Sequence, residues 1–119
     1  MKVTELELPL KELVETEGVN AAAVISRDGI LVNFFNTLTP EDISLLSLVA
    51  VMMTRTAEKC TKLLKKGYME ALITKADGGM IVTEKCAEFI FLVAVDKGID
   101  FESLKLKREK VKGAIRSMV

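Results

Sequence analysis

The sequence predicts an α+β fold in which a five-stranded antiparallel sheet carries helices on both faces. Three features support this prediction: five short apolar runs, a long helical segment after the second run, and amphipathic segments at both ends of the chain. Strands separated by only a few residues pair mostly antiparallel, and each sheet face needs a covering layer. The 119 residues suit a single domain over residues 1–119.

The first segment has helical spacing of its apolar residues after Pro9, which is tolerated in the first turn of a helix, and Gly18 suits its end. The residues before Pro9 fit a helix, an extended segment or a frayed end. Two apolar runs follow at 20–26 and 30–36, separated by an Asp-Gly pair at 28–29. Such a pair between apolar runs predicts a hairpin whose two central residues both have positive φ.

The longest helix is expected to begin at Thr39 and run to about Lys66. Thr39 can cap the helix, Pro40 suits its first turn, and Gly67 is the expected stop. The basic residues near the end complement the negative end of the helix dipole.

Three further strands are predicted at 68–75, 80–85 and 88–95, with a turn at 77–79 between the first two. The last segment, 101–118, has apolar residues at three- and four-residue steps and is predicted to be helical. The first and fifth strands are the most apolar, so we expect them side by side at the centre of the sheet.

Composition excludes several functional classes. The chain has 17 acidic and 17 basic residues, and this zero net charge gives no global attraction to nucleic acid or to an anionic membrane. No apolar run is long enough to span a bilayer, and the acidic N-terminus lacks the layout of a signal peptide. We therefore expect a soluble, cytoplasmic protein that binds no nucleic acid and has no membrane span.

The residues that usually perform catalysis are scarce. Histidine is absent, which removes the commonest general base and the commonest metal ligand. Cys60 and Cys86 have no metal-ligand spacing, so free buried thiols are expected, with a disulfide as the alternative. Cys86, near a strand corner, is the only candidate nucleophile, and nothing in the sequence activates it. We predict no enzyme activity, no metal and no cofactor.

The long helix has two apolar stripes. The first is Ile43, Leu46, Ala50, Met53, Ala57, Cys60 and Leu64, and the second is Leu45, Val49, Met52 and Thr56, with Leu48 and Leu63 beside it. A helix that lies on one sheet needs only one such stripe. The second stripe either widens the surface that faces the core or contacts a partner subunit. The outer face carries polar residues and could also receive a partner.

The predicted strand 68–75 lies at a sheet edge, next to the end of the long helix. An apolar edge strand that stays uncovered invites aggregation, and pairing with its own copy about a two-fold axis would remove that risk. The predicted dimer interface is Leu45, Val49, Met52, Thr56, Tyr68, Glu70 and Leu72. The predicted partner-binding surface is Ser44, Ser47, Arg55, Glu58 and Lys62.

The chain resembles the roadblock family, which comprises the roadblock-type dynein light chains and their prokaryotic relatives. The resemblance rests on segments 18–32, 76–82 and 89–95 and on the apolar helix after Pro40, and it covers about residues 9–118. It implies the long helix on one sheet face, the two terminal helices on the other, and a homodimer built from the long helix and the third strand. It also implies a scaffold or regulator of a small Ras-like GTPase, and the short chain is more similar to the prokaryotic type.

Four other sequence features allow a functional and a structural interpretation. Segment 27–29 is interpreted as a turn, and segment 77–79 lacks the lysine of a phosphate-binding loop, so GTP binding by this chain is not expected. Arg55 fits an arginine finger or a solvated side chain. The basic last helix fits nucleic-acid binding or a solvated face that lies beside the acidic first segment.

A non-catalytic dimeric GTPase regulator is our first functional hypothesis. A small-molecule sensor of similar architecture is the alternative, although few polar groups converge among the predicted core residues.

Overall fold

A computed structural model describes residues 4–35 and 38–118 of the protein. Within these residues the elements are, in chain order, α1 (Thr4–Val14), β1 (Val19–Ser26), β2 (Gly29–Phe35), α2 (Pro40–Leu63), β3 (Ala71–Ala76), β4 (Gly79–Cys86), β5 (Phe89–Asp96), a 3₁₀ turn (Phe101–Leu104) and α3 (Lys105–Arg116). The predicted strand end at Asn36 lies outside the described residues.

The five strands form one antiparallel sheet in the order β2-β1-β5-β4-β3. The first and fifth strands are neighbours at its centre, as the sequence predicts. Helix α2 lies on one face, above Ala23, Ile25, Ile90 and Leu92, while α1 and α3 pack on the other. The predicted fold class is therefore confirmed, and β2 and β3 are the two edge strands of this sheet.

Most of the core lies between the sheet and the two terminal helices. Its fully buried side chains include Leu6, Leu10, Leu13, Phe91, Val111 and Ile115. The layer under α2 is smaller and contains fewer large side chains. Only α2 covers this face of the sheet, whereas α1 and α3 cover the other. Part of the apolar surface of α2 therefore has no core residues of the same chain to pack against.

Helix α1 extends further toward the N-terminus than Pro9 and begins at Thr4. Proline inside a helix removes one intrahelical hydrogen bond. Leu6 lies before the proline and is completely buried with Leu10 and Leu13, and this burial favours a continuous helix. Tertiary packing thus decides among the three alternatives that the sequence allowed before Pro9.

The start of α2 agrees with the prediction, but its end does not. Thr39 Oγ1 accepts a hydrogen bond of 3.1 Å from the Asp42 N–H, as an N-cap does. The helix ends at Leu63 because Lys65 adopts a left-handed conformation with φ 61°. The Lys66 N–H then donates to the Thr61 carbonyl (2.7 Å) in a Schellman motif, so a lysine and not Gly67 ends the helix.

The hairpin between β1 and β2 forms as predicted, with a different turn geometry. Its central residues are Arg27 and Asp28, and neither has positive φ, so the expected pair of positive φ values is wrong. Gly29 takes φ 145° at the start of the next strand. The Ser26 hydroxyl accepts from the Asp28 N–H (3.2 Å) and donates to the Gly29 carbonyl (2.9 Å), which closes the turn.

The sequence predicts a solvated basic face for α3, but the structure buries one of its basic residues. Arg108 is buried, its guanidinium lies 3.4 Å from a Glu84 carboxylate oxygen, and it stacks on the Phe101 ring at 4.0 Å. The Lys112 ammonium lies 2.8 Å from the same carboxylate. The exposed Lys110 lies beside the acidic first helix, as the sequence predicts, with its ammonium 3.8 Å from the Glu12 carboxylate of α1. Acidic α1 and basic α3 therefore lie side by side.

Thr83 on β4 is a buried polar residue without a partner. Its side chain is completely buried on the face under α2, and Oγ1 has no hydrogen-bond partner among the described residues. A buried hydroxyl without a partner costs about 1–3 kcal/mol. We expect Thr83→Val to raise the free energy of unfolding by about 1 kcal/mol in urea denaturation. A destabilised Thr83→Val variant would show that the hydroxyl contributes favourably.

Candidate functional site

The outer surface of α2 is rich in large apolar side chains that the monomer leaves exposed. Leu45, Leu48 and Met52 have 58%, 59% and 57% of their surfaces accessible, and Val49 is also exposed. The second stripe therefore does not belong to the core of one chain. A contiguous exposed apolar surface of this kind marks an interaction site.

The first stripe faces the core less completely than its spacing predicts. Cys60 and Leu64 are exposed, whereas Ser47, Ala50 and Thr54 are the buried residues of the helix. The predicted stripe repeats every 3.5 residues, and a straight helix turns once in 3.6, so the stripe drifts by about 20° per heptad. By its last turn the stripe has rotated off the sheet.

A groove of about 440 Å³ separates α2 from the edge strand β3. Its lining residues are Val49, Met52, Met53, Thr56, Ala57 and Leu72. Ile73, on the opposite face of β3, is 57% exposed. Since β3 is an edge of the sheet, its outer backbone groups face away from β4. The helix stripe, the groove and the edge strand form one continuous surface, which we call the α2–β3 surface.

Two residues of the predicted interface lie before the strand. β3 begins at Ala71, so the prediction that Tyr68 starts it is wrong. Tyr68 is 77% exposed, and the Lys62 ammonium lies 4.7 Å from its ring centroid. Glu70 is exposed and its carbonyl accepts a hydrogen bond from the Lys85 N–H (3.2 Å), which extends the pairing with β4 by a step. The interface role of these residues stays a prediction.

The predicted partner-binding residues divide between exposed and buried positions. Ser44, Arg55 and Lys62 are exposed, as that role requires. Ser47 is only 7% exposed because it lies on the helix side that also carries Ala50, so its placement on the outer face is wrong.

Glu58 anchors the C-terminal half of α2 to strand β4. The Lys85 ammonium donates to both carboxylate oxygens at 2.9 and 3.0 Å, and Lys62 lies at 3.7 Å. The hydrogen bond from Lys85 lowers the pKa of Glu58 below its ordinary value, against an opposing effect of desolvation. Because the pKa of Glu58 is lower in the folded state, its ion pair with Lys85 stabilises the fold fully above the ordinary pKa of glutamate. This stabilisation is lost as the pH falls through the lower pKa of the folded state.

We expect Lys85→Gln to raise the pKa of Glu58 toward its ordinary value, because the hydrogen bond from Lys85 is the largest cause of the shift. A carboxyl-carbon NMR titration measures this directly. Lys75→Gln, an exposed substitution on β3, should leave the Glu58 titration unchanged. An unaltered Glu58 pKa in Lys85→Gln would contradict the assigned ion pair.

Two further grooves lie on the other side of α2, toward the β1–β2 turn. They have volumes of about 260 and 460 Å³ and share Arg27, Val51 and Arg55. Ser44, Ser47 and Leu48 line the larger groove, while Glu58 and Lys85 line the smaller one. The sequence indicates only a turn at Arg27, and its place beside α2 follows from the tertiary packing.

The cysteines are both free. Cys86 is buried, its Sγ donates to the Lys112 carbonyl at 3.9 Å, and burial raises the pKa of its thiol. A raised thiol pKa opposes thiolate formation and hence nucleophilic reactivity. Cys60 is exposed, which corrects the expectation that both thiols are buried. None of the described helices combines the length and apolar composition needed to cross a membrane.

Comparison with known proteins identifies the family. The model of the Roadblock/LC7 domain matches residues 5–96, and the chain belongs to that family. No curated protein matches the chain by sequence.

Solved structures of similar fold include a Roadblock/LC7 domain from Streptomyces avermitilis, with 13% identity, a TM-score of 0.77, and 93% of this chain and 94% of that one covered. The gliding protein MglB from Thermus thermophilus has 17% identity, a TM-score of 0.77 and coverages of 95% and 87%. Myxococcus xanthus MglB has 13% identity, a TM-score of 0.81 and coverages of 98% and 89%. At these identities the similarity establishes the fold.

Proposed function

We propose that this protein is a non-catalytic homodimeric regulator or scaffold that binds a small Ras-like GTPase in the cytoplasm. The observation that carries the proposal is the α2–β3 surface, where exposed leucine and methionine side chains adjoin an open strand edge. One partner that covers both features at once explains why neither is protected within the chain.

A second copy of the chain is that partner. Antiparallel pairing of β3 with its own copy satisfies the backbone groups of the edge and continues the sheet across the two-fold axis. The same axis places the exposed stripe of each α2 against the other helix. Met52, which lines the groove beside Leu72, would then lie near the middle of a dry interface.

The GTPase assignment rests on family membership and on the remaining surface of α2. The roadblock family includes scaffolds and regulators of small Ras-like GTPases, and the fold is similar to that of the gliding protein MglB. In the proposed dimer the outer polar residues Ser44, Arg55 and Lys62 stay accessible beside the interface. Arg55 acts in binding there, and no catalytic step is assigned to it.

Direct binding measurements test this function. Each Ras-like GTPase encoded in the same genome is purified, loaded with GDP or a non-hydrolysable GTP analogue, and titrated against the immobilised chain. We expect one GTPase to bind at micromolar concentration or below, with an affinity that depends on the nucleotide. Absence of binding by every GTPase, with the immobilised protein folded, would overturn the proposal.

A further inference from the structure

Two arginines from different elements meet at the grooves beside α2. Arg27 lies in the β1–β2 turn and Arg55 lies on the helix, yet both line the same two grooves. Arginine is the side chain best suited to bind a carboxylate, because its planar guanidinium donates two parallel hydrogen bonds.

Their charges are not used within the chain. Neither Arg27 nor Arg55 forms a side-chain hydrogen bond or ion pair with any described residue, whereas the neighbouring Lys62 and Lys85 are both bound to Glu58. The Glu58 carboxylate is thus paired with these two lysines and not with an arginine. Asp28 and Glu88 are exposed at the groove rims and make no ion pair with either arginine. The grooves therefore present two free guanidinium groups to whatever binds there.

The surroundings indicate which kind of anion fits. Ile43 and Val51 line the larger groove next to the arginines, and the smaller groove has an apolar wall of Phe89 and Ile90. Nucleic-acid sites pair their cations with exposed aromatic rings for stacking, and Phe89 is half-buried. Alternating apolar and cationic contacts suit a protein segment that carries both aliphatic and acidic side chains.

We propose that Arg27 and Arg55 form one carboxylate-binding site for an acidic segment of a protein partner. This inference rests on the proposed function, since the partner is the GTPase bound on the outer surface of α2, and it adds the chemistry of the contact. The partner presents Asp or Glu next to an aliphatic residue, the carboxylate binds between the two arginines, and the aliphatic group contacts Val51.

Arginine-detected NMR tests the site without knowledge of the partner. The chain has only four arginines, at positions 27, 55, 108 and 116, so each side-chain Nε–Hε signal can be assigned. The probe is a capped octapeptide of Asp, Glu and Leu, and its control is the same peptide with Asn and Gln. We expect the Arg27 and Arg55 signals to shift together with one affinity, while exposed Arg116 on α3 and buried Arg108 stay in place.

Matched variants complete the test. Arg27→Gln and Arg55→Gln should each weaken binding of the acidic peptide by about tenfold, and Arg116→Gln, with the same change of charge, should not. Equal shifts of Arg116, equal binding of the amide peptide, or displacement of the acidic peptide by a single-stranded oligonucleotide at lower concentration would overturn the site.

The two proposals fail in different ways. If a GTPase binds the wild type and the Arg27→Gln/Arg55→Gln variant equally, the function stands and the carboxylate site is wrong. If the acidic peptide binds as expected but no GTPase does, the site stands and its partner is a different acidic protein.

Discussion

Met52→Lys is expected to convert the proposed dimer into a monomer. Met52 is 57% exposed in one chain and lines the groove between α2 and β3, so the proposed dimer buries it. An ammonium placed there loses its hydration without gaining an anionic partner, which we expect to raise the dimer dissociation constant at least ~100-fold. Sedimentation velocity at micromolar concentration should show the wild type at twice the 13.1 kDa monomer mass and the variant at that mass.

Leu106→Lys is the matched control for this prediction. Leu106 is 80% exposed on α3, on the opposite side of the sheet, so the same gain of charge should leave the dimer intact. Circular dichroism verifies that both variants are folded. A folded Met52→Lys variant that stays dimeric would place the interface elsewhere, and a monomeric Leu106→Lys variant would place it on the terminal helices.

Glu84→Gln is expected to destabilise the fold by about 3 kcal/mol, because it leaves two cations without their buried anion. The Glu84 side chain is 13% exposed and binds Arg108, 8% exposed, and Lys112, 17% exposed. Arg108 has little capacity to adapt, since its Nε already has no hydrogen-bond partner among the described residues. Urea denaturation measures the loss.

Two further variants separate buried charge from general effects of the substitution. Glu109→Gln removes a carboxylate that is 46% exposed and lies 3.6 Å from Lys112, and it should change the free energy of unfolding by less than about 0.5 kcal/mol. Glu84→Leu combined with Arg108→Leu should recover more than half of the loss, because most of the cost comes from an unpaired charge. A Glu84→Gln variant as stable as wild type would show that water solvates the cations.

The strand order and helix placement are predictable from the sequence because local signals and burial agree. The continuous apolar runs of β1 and β5 place them at the centre of the sheet, and Thr39 with Pro40 defines the start of α2. The end of α2 was not predictable in the same way. Lys65 takes the left-handed conformation two residues before Gly67, which also has a positive φ of 87°, and nothing in the local sequence marks the lysine for that conformation.

The candidate site is predictable only in part. Helical spacing groups Leu45 and Met52 in one stripe, and the structure decides between its two interpretations because both side chains are exposed. The same reasoning misplaces Ser47, because a small polar residue on a polar-looking face can be buried where a helix crosses a sheet closely. The sequence does not predict that Arg27 and Arg55 line one groove. The β1–β2 turn and α2 are separate elements, and they come together only when the fold packs them side by side.

Affinity capture from lysate of the source organism tests the central claim most directly. The folded wild-type protein is the bait, Met52→Lys is the parallel bait, and each is incubated with GDP or a GTP analogue. We predict that the wild type enriches one Ras-like GTPase in only one of the nucleotide conditions and that the monomeric variant recovers less of it. Recovery of an intact bait dimer with no GTPase in either condition would contradict the account.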